Sequence, residues 1–503
     1  MPVSELQQPH HSVTRWAEVA ISVRHVQPDP RKQASCPGLV DLGQQTSGKY
    51  NKARSPFPVR RFRYSIRGVS SNGAWPMKWS LLYGAKSYIK SSLWVVPFIA
   101  IPFELAATRV AHWLDAWLGW TLLGFSPTGA QALLQTLVTI TLSFLVFTFG
   151  SLLVAIQVAS AQMTPRVIAT TLLRNDVVRY TVGLFIFTLM FALSAQNRPE
   201  KEVHQLVMLL AALLGIFSFA AFFFLIDYAS RLLRPISILA EVGRGGLSVI
   251  EGVYPNQISI SDDTVRERID PGPPGRVIRH QGTSAIVLAV NLDLLIAEAD
   301  RLNGLIEFVP QVGDFVAVDE PLFNLGGGAR LADEATLRGA VAVGSERTME
   351  QDPTFAFRII IDIALKALSP AINDPTTAVL AIDQLHRLLR AVGKRDLHTD
   401  EWRGESGQLR VIFRTPNWDD FVHLAFSEIR ACGSNSLQIV RRLRAMIENL
   451  VSTLPARRHM ALLQQLSLLD REIERHFNYP EELALARIAD AQGLGGHSGK
   501  IAR

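Results

Sequence analysis

Asp383 and His386 are three residues apart, a spacing that puts a carboxylate and an imidazole on one face of an α-helix. Such a pair can pass a proton as general acid and base, or supply two ligands to a divalent metal. Just upstream, in KALSPAINDPTTAVLAIDQL (366–385), stand Asn373 and Asp374, and Asp362 lies one helix earlier. Two features weigh against chemistry here. No second histidine stands at ligand spacing, and Asp374, directly before a proline, occupies the position of a helix cap. The candidate surface comprises Arg347, Thr348, Gln351, Asp352, Arg358, Asp362, Ser369, Asn373, Asp374, Asp383 and His386. Three roles are open for it: a structural hairpin, a ligand or partner surface, and a metal or catalytic site. No catalytic residue, metal or cofactor is assigned, and an enzyme is the less favoured class.

A second set of polar residues sits in apolar surroundings. Glu104 lies near the middle of an apolar stretch, where an ionised side chain costs about 2.5–3.5 kcal/mol on insertion scales. Arg109 is its nearest opposite charge, but five residues turn a helix by roughly 140°, so the two do not share a face. Either Glu104 is a membrane site, or the segment slides outward and carries it to the headgroups. Gln135, Thr139 and Ser143 stand at i, i+4 and i+8 of another apolar stretch, followed by Thr148 and Ser151. A stripe of that kind bonds neighbouring helices or lines a path for a permeant.

The helices that carry the first set are legible. In DPTFAFRIIIDIALKAL, Asp352 is an N-cap and Pro353 takes the first helical position. Arg358, Asp362 and Lys366 form a ladder of alternating charge, and Ile359, Ile360, Ile363, Ala364 and Leu368 an apolar face. Ser369-Pro370 ends the helix. Asp374 caps the next one, whose apolar positions are Leu380, Ile382, Leu385, Leu388 and Leu389. The abrupt stretch is thus a stop and a restart, and losing the Asp374 cap costs about 1 kcal/mol. Further helices are expected near 417–450 and 456–477. Arg441, Arg442, Arg444, Arg457 and Arg458 cluster there, as a solvated face or a contact for anionic headgroups.

The second set sits in membrane spans. A bilayer-crossing helix needs about 20 mostly apolar residues. Ser92–Leu114, Ala130–Ala159, Val177–Ala195 and Gln205–Ile226 qualify. Lys78, Lys86 and Lys90 precede the first, Arg166, Arg174 and Arg179 lie between the second and third, and Arg231, Arg234 and Arg244 follow the fourth. The other loops hold only Arg198 and Lys201. Positive charge therefore places both ends of the chain in the cytoplasm. Trp113, Trp117 and Trp120 fit an aromatic belt at the outer interface.

The predicted fold class is membrane α-helical, with four transmembrane helices, plus a cytosolic α+β region in which a small β-rich module precedes a helical domain. The expected boundaries are a basic tail at 1–76, the transmembrane domain at 77–230, a linker at 231–275, the β-rich module at 276–330, the helical domain at 331–480 and a flexible tail at 481–503. In the β-rich part, PQVGDFVAVDEPLFNL resembles the strand–turn–strand of barrel-sandwich carriers, but no lysine stands at a hairpin tip. Gly326–Gly328 lacks the Lys-Ser/Thr of a phosphate loop.

Composition bounds the rest. Hydrophobic residues make up 48% of 503, and mean hydropathy is +0.18. The net charge of +6 is owed to residues 1–76, which hold eleven Lys or Arg against four acids. A nucleic-acid partner would rest on that tail alone and is not expected. The tail has the composition of a disordered segment, and MKWSLLYGAKSYIK from Met77 reads as a natural start. Cys36 and Cys432 match no metal spacing and no disulfide framework.

Two stretches carry a family resemblance: SLLVAIQVASAQMTPRVIATTLLRND after the second span, and GSERTMEQDPTFAFRIIIDIALKALSPAINDPTTA over 344–378. With them, residues 77–503 resemble a bacterial family of predicted membrane proteins of unknown function, a DUF family with four N-terminal spans and a C-terminal ALSPxINDP motif. The resemblance implies an inner-membrane protein and supplies no reaction. The expected partners are the lipid bilayer and further copies of the chain. A channel- or transport-like protein with a cytosolic gating or assembly domain is the leading function, ahead of a membrane-tethered sensor or scaffold and a membrane-bound metal-dependent enzyme.

Overall fold

The computed structural model describes residues 79–496, except 93, 119–123, 125, 163–174, 197–203, 233, 259–272 and 398–399. The expectations for the tail 1–76, for Trp120 and for Lys78, Arg166, Arg174, Arg198 and Lys201 lie outside the described residues.

A short helix, α1 (Trp79–Ser91), leads into α2 (Val95–Leu118), α3 (Pro127–Gln162), α4 (Asp176–Gln196) and α5 (Gln205–Leu232). The last four are each long and apolar enough to cross a membrane. They agree with the four expected spans, with ends shifted by a few residues. α4 packs against α2, α3 and α5 and is the most buried of the four. Polar side chains near the helix ends fix an alternating course. Asn175 Nδ2 donates to Tyr228 Oη at 2.6 Å, joining the start of α4 to the end of α5. Arg179 Nη2 donates to the Ile89 carbonyl at 3.0 Å, joining the start of α4 to the end of α1. At the opposite end of the bundle the Leu206 N–H donates to Asp115 Oδ1 at 2.8 Å, joining α2 to the start of α5.

The chain leaves the bundle directly into α6 (Pro235–Val253), which packs on α9 (Pro353–Leu368) and α10 (Pro375–Gly393). Residues 235–253, expected as linker, are therefore a helix packed in the core. Four glycines lower helix propensity there and mask the apolar periodicity of Ile238, Leu239, Val242 and Ile250, all buried. The close approach explains two of those glycines. A Cβ at Gly246 would lie 2.8 Å from the Ala356 Cβ, and one at Gly243 would lie 2.4 Å from Gln384 Oε1.

Two sheets follow. The larger has the order β1-β5-β3-β8-β7, built from β1 (Arg276–Arg279), β3 (Gly304–Phe308), β5 (Pro321–Gly327), β7 (Glu401–Arg403) and β8 (Leu409–Phe413). The smaller has the order β4-β2-β6, from β2 (Ala285–Val290), β4 (Phe315–Val316) and β6 (Val341–Gly344). Helices α7 (Leu292–Arg301) and α8 (Glu334–Gly339) belong to the same module. The β-rich module thus does not end at 330. It recruits β6 and, beyond α9 and α10, the hairpin β7–β8, whose second strand runs parallel to β3. The hairpin signal, Gly404-Glu-Ser-Gly407 before the apolar Leu409–Phe413, is present in the sequence within a region read as wholly helical. The Gly326–Gly328 triplet serves packing: a Cβ at Gly328 would lie 1.9 Å from the Leu302 carbonyl oxygen.

The remaining helices are α11 (Trp418–Gly433), α12 (Leu437–Thr453), α13 (His459–His476) and α14 (Pro480–Ala486). With α6, α9 and α10 they bury one large core, from Ile238 through Phe357, Leu388 and Phe426 to Ile473. Residues 481–496 are not a flexible tail. After α14 the chain crosses α12, held by Arg441, whose Nε, Nη1 and Nη2 donate to the carbonyls of Ile488, Gly495 and Gly496 at 3.0, 3.1 and 3.0 Å. The glycines that suggest flexibility supply positive φ at Gly493 (68°) and Gly495 (76°), which turns those carbonyls inward.

Candidate functional site

The structure distributes the C-terminal candidates over four places. The first is a joint between the β-rich module and α9. Gln351 Oε1 accepts from the Val290 N–H at 2.9 Å, and Gln351 Nε2 donates to the Val290 carbonyl at 3.3 Å. Asp352, 2% exposed, caps α9 by accepting from the Phe355 N–H at 3.1 Å. Its other oxygen, Oδ2, has no hydrogen-bond partner and faces Gly313, where φ is 95° and a Cβ would lie 2.4 Å away. Burial pushes the Asp352 carboxyl up, and the hydrogen bond from Thr354, the capped Phe355 N–H and the nearby Arg347 charge offset only part of that. Arg347 is exposed, and Thr348 keeps a buried Oγ1 without a partner.

The second place is an ion-pair network. Arg358 Nε donates to Asp362 Oδ1 at 2.6 Å, and the guanidinium also holds Glu428 of α11. The hydrogen bond to Glu428 is the main cause that raises the Arg358 pKa. The third is the hairpin. The N–H groups of Ile372 and Asn373 donate to the Ser369 carbonyl, and that of Asp374 to the Ala367 carbonyl. Asn373 takes φ 48°, and Asp374 accepts from the Thr377 N–H at 3.0 Å and its hydroxyl at 2.6 Å. Both Asp374 oxygens are used in the cap.

The fourth place pairs α10 with α12. Arg442 Nε donates to Asp383 Oδ1 at 2.8 Å. His386 Nε2 lies 2.9 Å from Asn449 Oδ1, and Arg442 Nη2 lies 3.2 Å from Nδ1. Arg442 has only protons to offer, so Nδ1 accepts and Nε2–H donates to Asn449. Burial lowers the His386 pKa, opposed by the Asn449 bond and reinforced by the Arg442 charge. Asp362 and Asp374 do not join this group. Among the described residues no three His, Cys, Asp or Glu side chains come together to hold a metal ion.

The arginine cluster is corrected. Arg441, Arg442, Arg444 and Arg458 are buried, at 0, 5, 8 and 8% exposure, so they are neither a solvated face nor a headgroup contact. Arg444 pairs with Asp470, and Arg458 donates to the Arg395 carbonyl and stacks on Trp418. Burial, with the Arg457 charge, pushes the Arg458 pKa down to about 10.

Inside the bundle, Glu104 is 0% exposed and Arg109 is exposed. Thr108 Oγ1 donates to Glu104 Oε1 at 2.6 Å, while Oε2 is buried without a partner. Glu104, Thr108, Ala111 and Asp115 share the buried face of α2. At its far end Asp115 Oδ2 lies 2.8 Å from His204 Nδ1, and the His204 ring meets His112 edge to face at 4.6 Å. Asp115 and His204 were missed because each lies one residue outside an expected span, beyond Leu114 and before Gln205, and His112, inside the first span, was not weighed with Glu104. The signal was the recurrence of polar residues at 104, 108, 112 and 115, which stack on successive turns.

Gln135, Thr139 and Ser143 are exposed on α3. Their hydroxyls bond back along the helix, Thr139 to the Gln135 carbonyl at 3.0 Å and Ser143 to the Thr139 carbonyl at 2.8 Å. They neither bond a neighbouring helix of this chain nor line its interior. Thr141 and Thr148 of α3 are buried, Thr148 Oγ1 without a hydrogen-bond partner, and Thr188 and Ser218 share a hydrogen bond of 2.9 Å between α4 and α5.

A bundle of four apolar helices with a fully buried carboxyl, continuous with a large polar-surfaced half, defines a multi-pass membrane protein. The chain belongs to the family described as predicted membrane protein (DUF2254), whose model matches residues 90–449. Uncharacterized proteins of Mycobacterium bovis and Mycobacterium tuberculosis are each 27% identical to it over 433 residues, covering 80% of this chain and 80% of the relative. No solved structure matches it.

Proposed function

We propose that the protein is a channel- or transport-like component of the bacterial inner membrane, with both termini in the cytoplasm and the C-terminal half gating or assembling the membrane part. The observation that carries this reading is Glu104: 0% exposed among apolar helices, with one oxygen unpartnered. Holding a polar group there is costly, and intramembrane carboxyls mark ion and proton pathways. The coupling element is α6, which begins three residues after α5 ends and lies in the core against α9 and α10. A displacement of α5 therefore reaches that core with little slack. The orientation rests on Arg179, Arg231, Arg234 and Arg244 at one end of the bundle, and on the exposed Trp113 and Trp117 at the other.

Four spans make a narrow pore, so the reading includes self-association. The exposed Gln135–Thr139–Ser143 stripe on α3 suits it, because a second copy gives polar groups a partner that lipid tails lack. The test is flux through vesicles carrying the purified full chain. Passage of an ion or small solute above protein-free vesicles is expected, and impermeability to a broad panel under pH and voltage gradients would overturn the proposal. Cysteine at 139 should crosslink copies in native membranes; a chain that stays monomeric at every α3 position tested removes the assembly part.

A further inference from the structure

We infer that Glu104 is a proton-binding site inside the bilayer, reached from the end of the bundle remote from the C-terminal half through Asp115, His204 and His112. This rests on the transport reading and names its ion.

The first argument is isolation. α3 carries no ionisable side chain, α4 carries none between Tyr180 and its end, and α5 none before Asp227. On α2 itself, Arg109 is exposed. A bare carboxylate in such a place lacks both water and a countercharge, a state that low-dielectric surroundings do not tolerate. It needs a proton or a cation. The second argument chooses between them. The hydroxyl of Thr108 already donates to Oε1, so it adds no simple ligand set, and a dehydrated alkali or divalent ion requires several oxygens. A proton needs only the free lone pair on Oε2.

The third argument is the route. Asp115 and His204 are in hydrogen-bond contact at 2.8 Å, and the His204 and His112 rings meet at 4.6 Å. His112 stands one turn from Thr108, about 6 Å along the axis. Glu104 lies a further turn on, about 12 Å from His112 along the axis, so the route requires water between the imidazole and Oε2. From Asp115 to Glu104 the groups span eleven residues of α2, about 16 Å, roughly half the hydrocarbon thickness. A proton taken up at the imidazole of His204 is handed to His112 and, through water, to Oε2 of Glu104, and each imidazole returns to its neutral state as it gives its proton up. Asp115 also accepts the Leu206 N–H, so it orients His204 and anchors α5 at once.

The experiment uses the full chain in vesicles loaded with a pH-sensitive dye, with an acid jump outside, together with infrared difference spectra of the protein on titration. Wild type is expected to acidify the lumen and to show the carbonyl band of a protonated buried carboxyl. Glu104→Gln, which keeps size and an acceptor for Thr108, should lose that band and reduce proton entry to the rate of protein-free vesicles. His112→Gln and His204→Gln should slow entry but keep the band. If the vesicles pass sodium, potassium or a solute while Glu104→Gln changes neither proton entry nor the band, the proton site falls and the transport reading stands. If the band titrates and vanishes in Glu104→Gln but nothing crosses, the site stands and the transport reading falls. Wild type without a Glu104-dependent band overturns the inference whatever the flux.

Discussion

Glu104 and Arg441 are both charged residue types at 0% exposure, one in each half of the molecule, and the halves treat them in opposite ways. Arg441 spends its donors on three backbone carbonyls of the strap 488–496, which exists in that form because Arg441 is there. Glu104 has one bond from Thr108 and an oxygen left over. Burying a polar group is tolerated when its hydrogen-bonding capacity is filled. At Arg441 the capacity is filled by protein, which ties the strap to α12. In the bundle it is left open, and what fills it must come from outside the chain. The same contrast separates Asp374, with both oxygens in a cap, from Asp352, whose Oδ2 is closed off against Gly313.

The comparison breaks first at Arg441. Arg441→Met keeps the length and removes the donors, freeing three carbonyls. At roughly 1.5–3 kcal/mol for each hydrogen bond involving a charged group, the loss of three is expected to reach about 4.5 kcal/mol or more. Thermal unfolding of the purified protein should show it, with faster proteolysis inside 488–496. An unchanged melting curve and an uncut strap would mean that Arg441 is not what closes the structure.

How much of this was legible in the sequence differs between the halves for a physical reason. The four spans announce themselves by length and hydropathy, which are local properties. The α9–α10 hairpin did so too, because caps at Asp352 and Asp374 and the breaker Ser369-Pro370 act within a few residues. What stayed hidden is non-local. Strand β8 pairs with β3 across about a hundred residues, so Leu409–Phe413 gains its place only from a partner far away in the chain. The arginines of α12 looked like a solvated face because their carbonyl and carboxylate partners lie on α10, α13 and the strap. Of the candidate surface, Asp383 and His386 were rightly placed on one helix face, but Arg442 and Asn449, which decide what that face does, were not visible.

Asp374→Ala is the next smaller break. It removes an N-cap accepting two hydrogen bonds, at about 1 kcal/mol. Asp374→Asn should recover most of that, since an amide oxygen still caps. Denaturant unfolding of the two variants, both retaining the membrane bundle, checks the order. If Asp374→Ala instead removes transport while stability is kept, the hairpin is a functional surface and the contrast between filled and open sites fails there.

His386 gives a smaller, pH-dependent effect. Its folded pKa lies below the ordinary imidazole value of about 6.5, chiefly through burial. The folded state then binds fewer protons than the unfolded one, so the contribution is present in full above that value and declines as pH falls below it. Solvent screening of a half-buried ring keeps it small. Stability measured from pH 8 down to pH 5 should fall less steeply in His386→Gln than in wild type. Parallel slopes would show that the imidazole titrates alike in the folded and unfolded states, against the lowering by burial, and a steeper fall in His386→Gln would show an imidazole held protonated.

The smallest expected change in stability, at Glu104, sharpens the comparison most. Glu104→Gln preserves shape and the Thr108 contact, and it removes the proton-binding oxygen that the bundle leaves without a partner. If Glu104 is held by nothing but Thr108, its melting temperature should match wild type, with a difference of roughly 0.5 kcal/mol or less, since swapping one hydrogen-bonded polar group for an isosteric one is nearly neutral. A loss as large as that of Arg441→Met would place a structural partner on Oε2, and the two buried residues would then follow one rule. A neutral substitution at a fully buried carboxyl has a different meaning. The fold does not depend on the acid at 104, and its oxygen is free for exchange with whatever the bundle admits.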